Sequence, residues 1–327
     1  MEKIRPFVQE RKRLSELLPL AAPLAVVVEM GDSCNFKCRF CYNSKKESKS
    51  NSHFSKELFI RLIAELAMFS EPIDTLRITG DVEPLQHPQF TEFIRIAKQS
   101  GNVKTIRMST NAFLLTPGLS RDIIDSGMDI IQISINGMDN EHYKYVTNTD
   151  VDFSSIKENV EYLYSIKEQA HIHIKCIGDF FTDEQRHEFM SVFTPLCDTI
   201  NIEWMVNQWL DMDLDTAQGQ NRFKMNTASS QICTRPFYSL GVHITGDVNS
   251  CTTTLGPPLS LGNVNDSTLY DIWNGKPMYD LRMAFLKGDY KEKYPNCAKC
   301  KFPEFQSSED LTPYRGELIK KYEKWGK

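Results

Sequence analysis

Across residues 24–207, apolar positions alternate between a spacing of two and a spacing of three to four. The shorter period predicts strands and the longer one helices. "LAVVVEM" at 24–30 reads as a first strand. Leu58, Leu62 and Leu66, with Phe59 and Ile63, then form one apolar helix face. "DTLRITG" is a second strand, "PQFTEFIRIAKQSG" a helix stopped by Gly101, and "VKTIRMST" a third strand. "LSRDIIDSG" predicts a helix ending at Gly127, and "MDIIQISING" a fourth strand. "FSSIKENVEYLYSIKEQ" predicts a helix opened by a serine cap, followed by the strand "HIHIKCIG". "TDEQRHEFMSVF" and "DTINIEWMVN" complete the series as a helix and a sixth strand. Strands alternating with helices predict a parallel sheet covered by helices.

The predicted strands carry a second pattern. Parallel strands covered on both faces read as continuously apolar, but here every other position is polar. Arg77 and Thr79 share a face, as do Arg107, Ser109 and Asn111. Gln132, Ser134 and Asn136 follow the same rule, then His171, His173 and Lys175, then Glu203 and Asn207. The fold class expected is α/β, with the sheet curved into a partial barrel around a polar ligand. Lys175, Arg107 and Glu203 are the candidates for moving a proton there. His171 and His173 read as polar lining, and His87 and His243 as structural.

From residue 207 the periodicity fades. Residues 207–232 read as a polar linker containing the acidic run "WLDMDLD". "FYSLGVHITGDVNSC" predicts a hairpin turning at Gly246-Asp247. Short helices near "TLYDIWNG" and "PMYDLRMAFLKG" follow, and "ELIKKYEKW" predicts an exposed helix with a basic face.

Composition narrows the class. The chain has 327 residues, 41% hydrophobic and 25% charged, with a net charge of -5. No global basic field invites nucleic acid. No run of apolar residues is long enough to predict a membrane span, and the N-terminus lacks the order of a signal peptide. Nine cysteines without an export signal lead us to expect a cytoplasmic, reducing compartment, where clustered cysteines bind metal more often than they form disulfides.

The cysteines fall into two sets. Cys34, Cys38 and Cys41 follow the first strand, in "CNFKCRFCYN". Three thiolates can hold three irons of a cubane cluster and leave the fourth open. Zinc would need a fourth protein ligand, and none is obvious nearby. Cys233, Cys251, Cys297 and Cys300 are separated by 17, 45 and 2 residues. They have the form of a complete four-thiolate site, for a cluster or for zinc. Cys176 and Cys197 read as structural.

The first motif resembles the radical S-adenosylmethionine (SAM) superfamily: Cys-x3-Cys-x2-Cys, with the aromatic Phe40 before the third cysteine. "TGDVEPLQHPQF" resembles that family's Gly-Glu-Pro segment, although Asp81 and Val82 stand where a glycine is usual. "MSTNAF" and "QISINGMD" resemble its third- and fourth-strand segments. The resemblance implies a partial (β/α)6 TIM-like barrel over residues 23–206, after an N-terminal extension at 1–22. It implies that SAM binds the open iron, with Phe40, Gly80, Glu83, Ser109, Asn111, Ser134 and Asn136 around it. The second set, with "GN" at 262, "DIW" at 271 and Arg282 between its members, resembles the SPASM/twitch extension of such enzymes. Its spacing is close to that of the family's aminocyclitol-dehydrogenase branch. This implies a small C-terminal iron–sulfur domain over 233–327, and two [4Fe-4S] clusters in all.

The same resemblance implies a 5′-deoxyadenosyl radical that takes hydrogen from a substrate carbon, and a flavodoxin or ferredoxin electron donor. Only 33 residues precede Cys34, so no leader-peptide-binding domain is expected there. A small polar substrate is therefore the first expectation: a sugar, aminocyclitol or nucleotide-linked sugar undergoing dehydrogenation or epimerisation. Modification of a ribosomal peptide is the alternative enzyme, and a non-catalytic iron–sulfur or zinc protein the alternative of another class.

Overall fold

The computed structural model describes residues 12–45, 51–79, 82–206, 220–227, 230–251, 259–306 and 310–325. Six parallel strands form in the predicted order: β1 (Ala25–Glu29), β2 (Ile73–Thr79), β3 (Val103–Thr110), β4 (Ile130–Ser134), β5 (His171–Ile177) and β6 (Thr199–Glu203). Three short strands follow: β7 (Ser239–Val242), β8 (Asp247–Asn249) and β9 (Gly262–Asn263). The sheet order is β6-β5-β4-β3-β2-β1-β7-β8-β9, so the partial barrel is open.

The hairpin β7–β8 does not fold apart from the core. β7 runs parallel to β1, with Ala25 opposite Ser239 and Val28 opposite Val242. Gly246 turns the hairpin at φ 87°, a conformation that favours glycine.

The longer helices are α1 (Lys56–Glu65), α2 (Phe90–Ser100), α3 (Pro117–Asp125), α4 (Asn140–Thr147), α5 (Phe153–Ser165), α6 (Asp183–Phe193), α7 (Leu269–Asn274), α8 (Lys276–Lys287) and α9 (Arg315–Trp325). Their starts follow from local chemistry. Ser55, Thr116 and Thr182 each accept an N–H of the first turn. The cap of α5 is Asp152, not a serine; Ser154 and Ser155 instead donate to its carboxylate at 2.6 and 2.8 Å. The sequence reading also missed α4, which contains few apolar residues.

The outer face of the sheet is apolar and fully buried. Ile78, Ile106, Met108, Ile131, Ile133, Ile172, Ile174, Cys176 and Ile200 all lie there, against the helices. Cys176 and Cys197 are packing groups, as their sequence context predicted.

Both ends of the described chain pack onto the core. The N-terminal extension is tied in: Leu14 and Leu18 are buried, and Trp273 Nε1 donates to the Leu20 carbonyl at 3.2 Å. The C-terminal helix is not simply exposed. α9 packs on α8 and buries Leu318 and Tyr322, whose ring meets Phe237 edge-on at 5.8 Å. No helix among the described residues is long and apolar enough to cross a membrane.

Arg282 locks this corner. Buried on α8, it donates to the carbonyls of Pro236 (3.0 Å) and Trp273 (3.2 Å) and lies 4.0 Å over the Trp273 ring. Burial pushes its pKa down to about 10. Arg282→Met keeps the stem but removes both hydrogen bonds. We expect a loss of about 2–4 kcal/mol, read as a lower urea midpoint than wild type.

Candidate active site

The cysteine loop after β1 is held on three sides. The first hold comes from α4. Backbone carbonyls in the last turn of a helix have no partner within it, and here two of them accept from the loop. Lys37 N donates to Thr147 O at 3.0 Å and Arg39 N to Val146 O at 2.9 Å. Asn148, in a left-handed conformation at φ 51°, adds a bond from Nδ2 to Lys37 O at 2.9 Å. The second hold comes from β3, where Asn111 Nδ2 donates to Asn35 Oδ1 at 2.9 Å. The third is aromatic: Phe36 packs edge-on against Phe113 and Tyr143, at 5.8 and 6.3 Å. Phe40 meets Phe180 at 5.5 Å.

α4 reaches the loop through a close approach at Gly137, in the "ING" segment after β4. A methyl group there would meet the Tyr143 backbone nitrogen at 2.7 Å. The Tyr143 hydroxyl in turn accepts from Asn136 N at 3.2 Å. The available sequence signals for α4 were Asp139, which caps it, and the spacing of Tyr143 and Val146.

Glu83 braces the segment after β2. One carboxylate oxygen accepts from Thr110 Oγ1 (2.8 Å) and Leu85 N (3.2 Å), the other from Asn111 N (2.9 Å). Ser109 and Ser134 lie on the inner face near the carboxyl ends of β3 and β4, where ligand sites form in such sheets. Gly80, expected beside SAM, falls outside the described residues, as do Asn207 and the run "WLDMDLD".

The inner face is polar and mostly buried. Lys175 Nζ lies 2.7 Å from Glu203 Oε2, and Arg222 Nη1 approaches that oxygen at 3.6 Å. His171 and His173 both bond Thr199 Oγ1, at 2.9 and 2.8 Å, which makes them lining as expected. Arg107 donates from Nη2 to Gln132 Oε1. A guanidinium keeps its proton at any working pH, so Arg107 serves as a donor and not as a base. At the other side, His243 Nδ1 sits 2.9 Å from Glu29 Oε2.

Arg222 corrects the linker expectation. The described part of 207–232 folds over β6, with Trp204 N donating to Arg222 O at 2.8 Å. Nothing in the polar sequence around it predicts this pairing. Thr199 and Asn201 were also missed, although their alternation with Glu203 on one strand could have found them.

Burial acts to raise the Glu203 pKa, but Lys175 and Arg222 outweigh it and bring it down to about 2. Burial lowers the His173 pKa to about 4, with Lys175 acting in the same direction.

The second cysteine set converges. Cys233, Cys251, Cys297 and Cys300 line one cavity of about 370 Å³, together with Arg235, whose guanidinium lies 4.0 Å over the Phe302 ring. Burial and then the neighbouring Cys251 and Cys300 push Cys297 up to about 12. Burial, then Cys41 and Cys34, likewise push Cys38 up. Thiols that hold their protons in this way become thiolates once a cationic cluster supplies the opposing charge. Both donor sets therefore fit iron–sulfur clusters. Among the described residues, no three His, Cys, Asp or Glu side chains gather closely enough to hold a single metal ion.

Comparison with known proteins agrees with this geometry. The Radical SAM superfamily model matches residues 28–192, and the SPASM iron–sulfur cluster-binding domain matches 233–301. The GTP 3′,8-cyclase of Chlorobaculum tepidum is 30% identical over 125 residues, which is 38% of this chain and 36% of that protein. The chain thus spans about a third of the length of this curated relative. BtrN in complex with AdoMet and 2-DOIA shares the fold with a TM-score of 0.58 at 16% identity, over 88% of this chain and 96% of that one. Native anSMEcpe with bound AdoMet and Cp18Cys peptide does so with a TM-score of 0.61 at 14% identity, over 92% and 96%. The chain belongs to the radical SAM superfamily. Members of that superfamily bind SAM and a [4Fe-4S] cluster, and the matched C-terminal domain is an iron–sulfur cluster-binding one; the two cysteine sets of this chain fit both.

Glu83 provides a test of the brace. Burial raises its carboxyl from 4.5 to about 7, against the opposing donors Asn111, Thr110 and Leu85. The folded chain therefore holds a proton that the unfolded chain releases. This contribution to stability is complete below about pH 4.5 and is lost as pH rises through about 7. Glu83→Gln should flatten the fall in unfolding temperature across that window, as measured by a thermal melt at each pH.

Proposed function

We propose that this enzyme abstracts a hydrogen atom from a small polar substrate and dehydrogenates a secondary alcohol. A sugar, aminocyclitol or nucleotide-linked sugar fits best. The observation that carries this reading is the buried, ion-paired inner face of β5 and β6, with Lys175, Glu203 and Arg222 beside Asn201 and His173. Such a surface recognises hydroxyls and phosphates better than apolar side chains.

In this reading Cys34, Cys38 and Cys41 hold the SAM-binding cluster, and Cys233, Cys251, Cys297 and Cys300 hold one auxiliary [4Fe-4S] cluster. Phe40, Gly80, Glu83, Ser109, Asn111, Ser134 and Asn136 surround SAM. When bound, these groups supply the 5′-deoxyadenosyl radical that takes the hydrogen and an acceptor for the departing electron, so that C–H and O–H are lost and a carbonyl remains. The chain's own residues orient the alcohol and receive its proton. Lys175 Nζ donates to the substrate oxygen, and Glu203, ionised beside Lys175 and Arg222, accepts the hydroxyl proton. Arg107 and Gln132 face the substrate as hydrogen-bond donor and acceptor. A flavodoxin or ferredoxin is the proposed electron donor.

The test uses anaerobic, cluster-reconstituted protein. We expect about eight irons per chain and 5′-deoxyadenosine on adding SAM and dithionite. Replacing Cys34, Cys38 and Cys41 by alanine should remove about half the iron and all deoxyadenosine formation. Stoichiometric zinc with no deoxyadenosine would overturn the reading.

With a panel of sugars, aminocyclitols and nucleotide sugars, we expect a carbonyl product from at least one. Lys175→Met should lower that turnover by about 10²-fold while leaving SAM cleavage without substrate intact. Turnover of a ribosomal precursor peptide in place of every small molecule would favour the peptide-modifying alternative.

A further inference from the structure

We infer that Asn201 selects the substrate, by closing a pair of hydrogen bonds, one donated and one accepted, with two neighbouring polar groups on a ring. This inference rests on the reading of the inner face as the substrate site. Asn201 is only 7% exposed, yet neither Nδ2 nor Oδ1 has a hydrogen-bond partner. It stands opposite Lys175 in the β5–β6 register, between Thr199 and Glu203 on the inner face of β6.

The polar groups around it are engaged with one another. Thr199 serves His171 and His173, while Glu203 serves Lys175 and Arg222. The amide is thus left with both a donor and an acceptor unsatisfied on the inner face of β6. Burying an amide without partners is unfavourable, and buried polar groups in folded chains are nearly always satisfied. A ligand that completes the pair resolves this.

The ligand chemistry follows from the amide. One substrate group must accept from Nδ2, and a neighbour must donate to Oδ1. Adjacent hydroxyls on a ring do this, as does a hydroxyl beside an amine. The Lys175–Glu203 pair then lies next along the face for the oxygen that loses its proton. A cysteine or aliphatic side chain of a peptide offers no such pair. With the polar inner face around it, the Asn201 amide fits cyclic vicinal diols and amino alcohols.

The test compares Asn201→Leu and Asn201→Asp with wild type, as reconstituted, SAM-loaded full-length enzyme. The probes are myo-inositol, D-glucosamine and UDP-glucose. Without a probe, Asn201→Leu should unfold at the same or a higher temperature than wild type. With whichever probe the wild type binds, Asn201→Leu should raise Kd at least tenfold. Asn201→Asp should weaken a diol probe more than the amine-bearing D-glucosamine.

A lower unfolding temperature for Asn201→Leu would show that the amide is structural and overturn the inference, leaving the functional reading intact. An unchanged Kd would do the same. If the wild type binds none of the three probes, the polar-substrate reading falls, and the role of Asn201 with it.

Discussion

The structure depends on a sheet whose inner face is both polar and buried. Charged groups withdrawn from water are tolerated only when paired or bound. On β5 and β6 this requirement is met by Lys175 and Arg222 on Glu203, and by His171 and His173 on Thr199. The outer face carries no such constraint, because Ile, Met and Cys side chains fill it against the helices. The same alternation along each strand thus builds a packed core on one side and a recognition surface on the other.

The cysteine loop presents a related problem. A short irregular segment has to present three thiols in a fixed arrangement, and it has little regular structure of its own. The chain supplies rigidity from outside, through the unpaired carbonyls at the end of α4 and the Asn111–Asn35 bond from β3. Glu83 ties the end of β3 to the segment after β2, so loop, strand and brace form one hydrogen-bonded unit. The second cysteine set is assembled differently. Its members come from distant segments, and the continuation of the sheet through β7 and the corner built on Arg282 bring those segments together.

Much of this was legible in the residue pattern. The six core strands, the glycine stops at Gly101 and Gly127 and the hairpin turn at Gly246 lie where periodicity and turn chemistry placed them. Such features rest on local preferences that a few neighbouring residues express. The misses share a cause as well. α4 is specified by a cap and a few contacts and has no strong apolar stripe, and Asp152 captured a cap position that the nearby serines also suited.

What the sequence determined by itself was the chemistry of individual positions: which cysteines cluster, which strands alternate, and which side chains could carry charge into a lumen. What only the tertiary structure decided was who meets whom. Arg222 lies on Glu203 because a segment of irregular sequence folds back over β6. Asn201 is left without partners because its neighbours satisfy one another first. Both facts depend on strand register and on backbone contacts between residues far apart in the chain, and neither leaves a local signature in sequence.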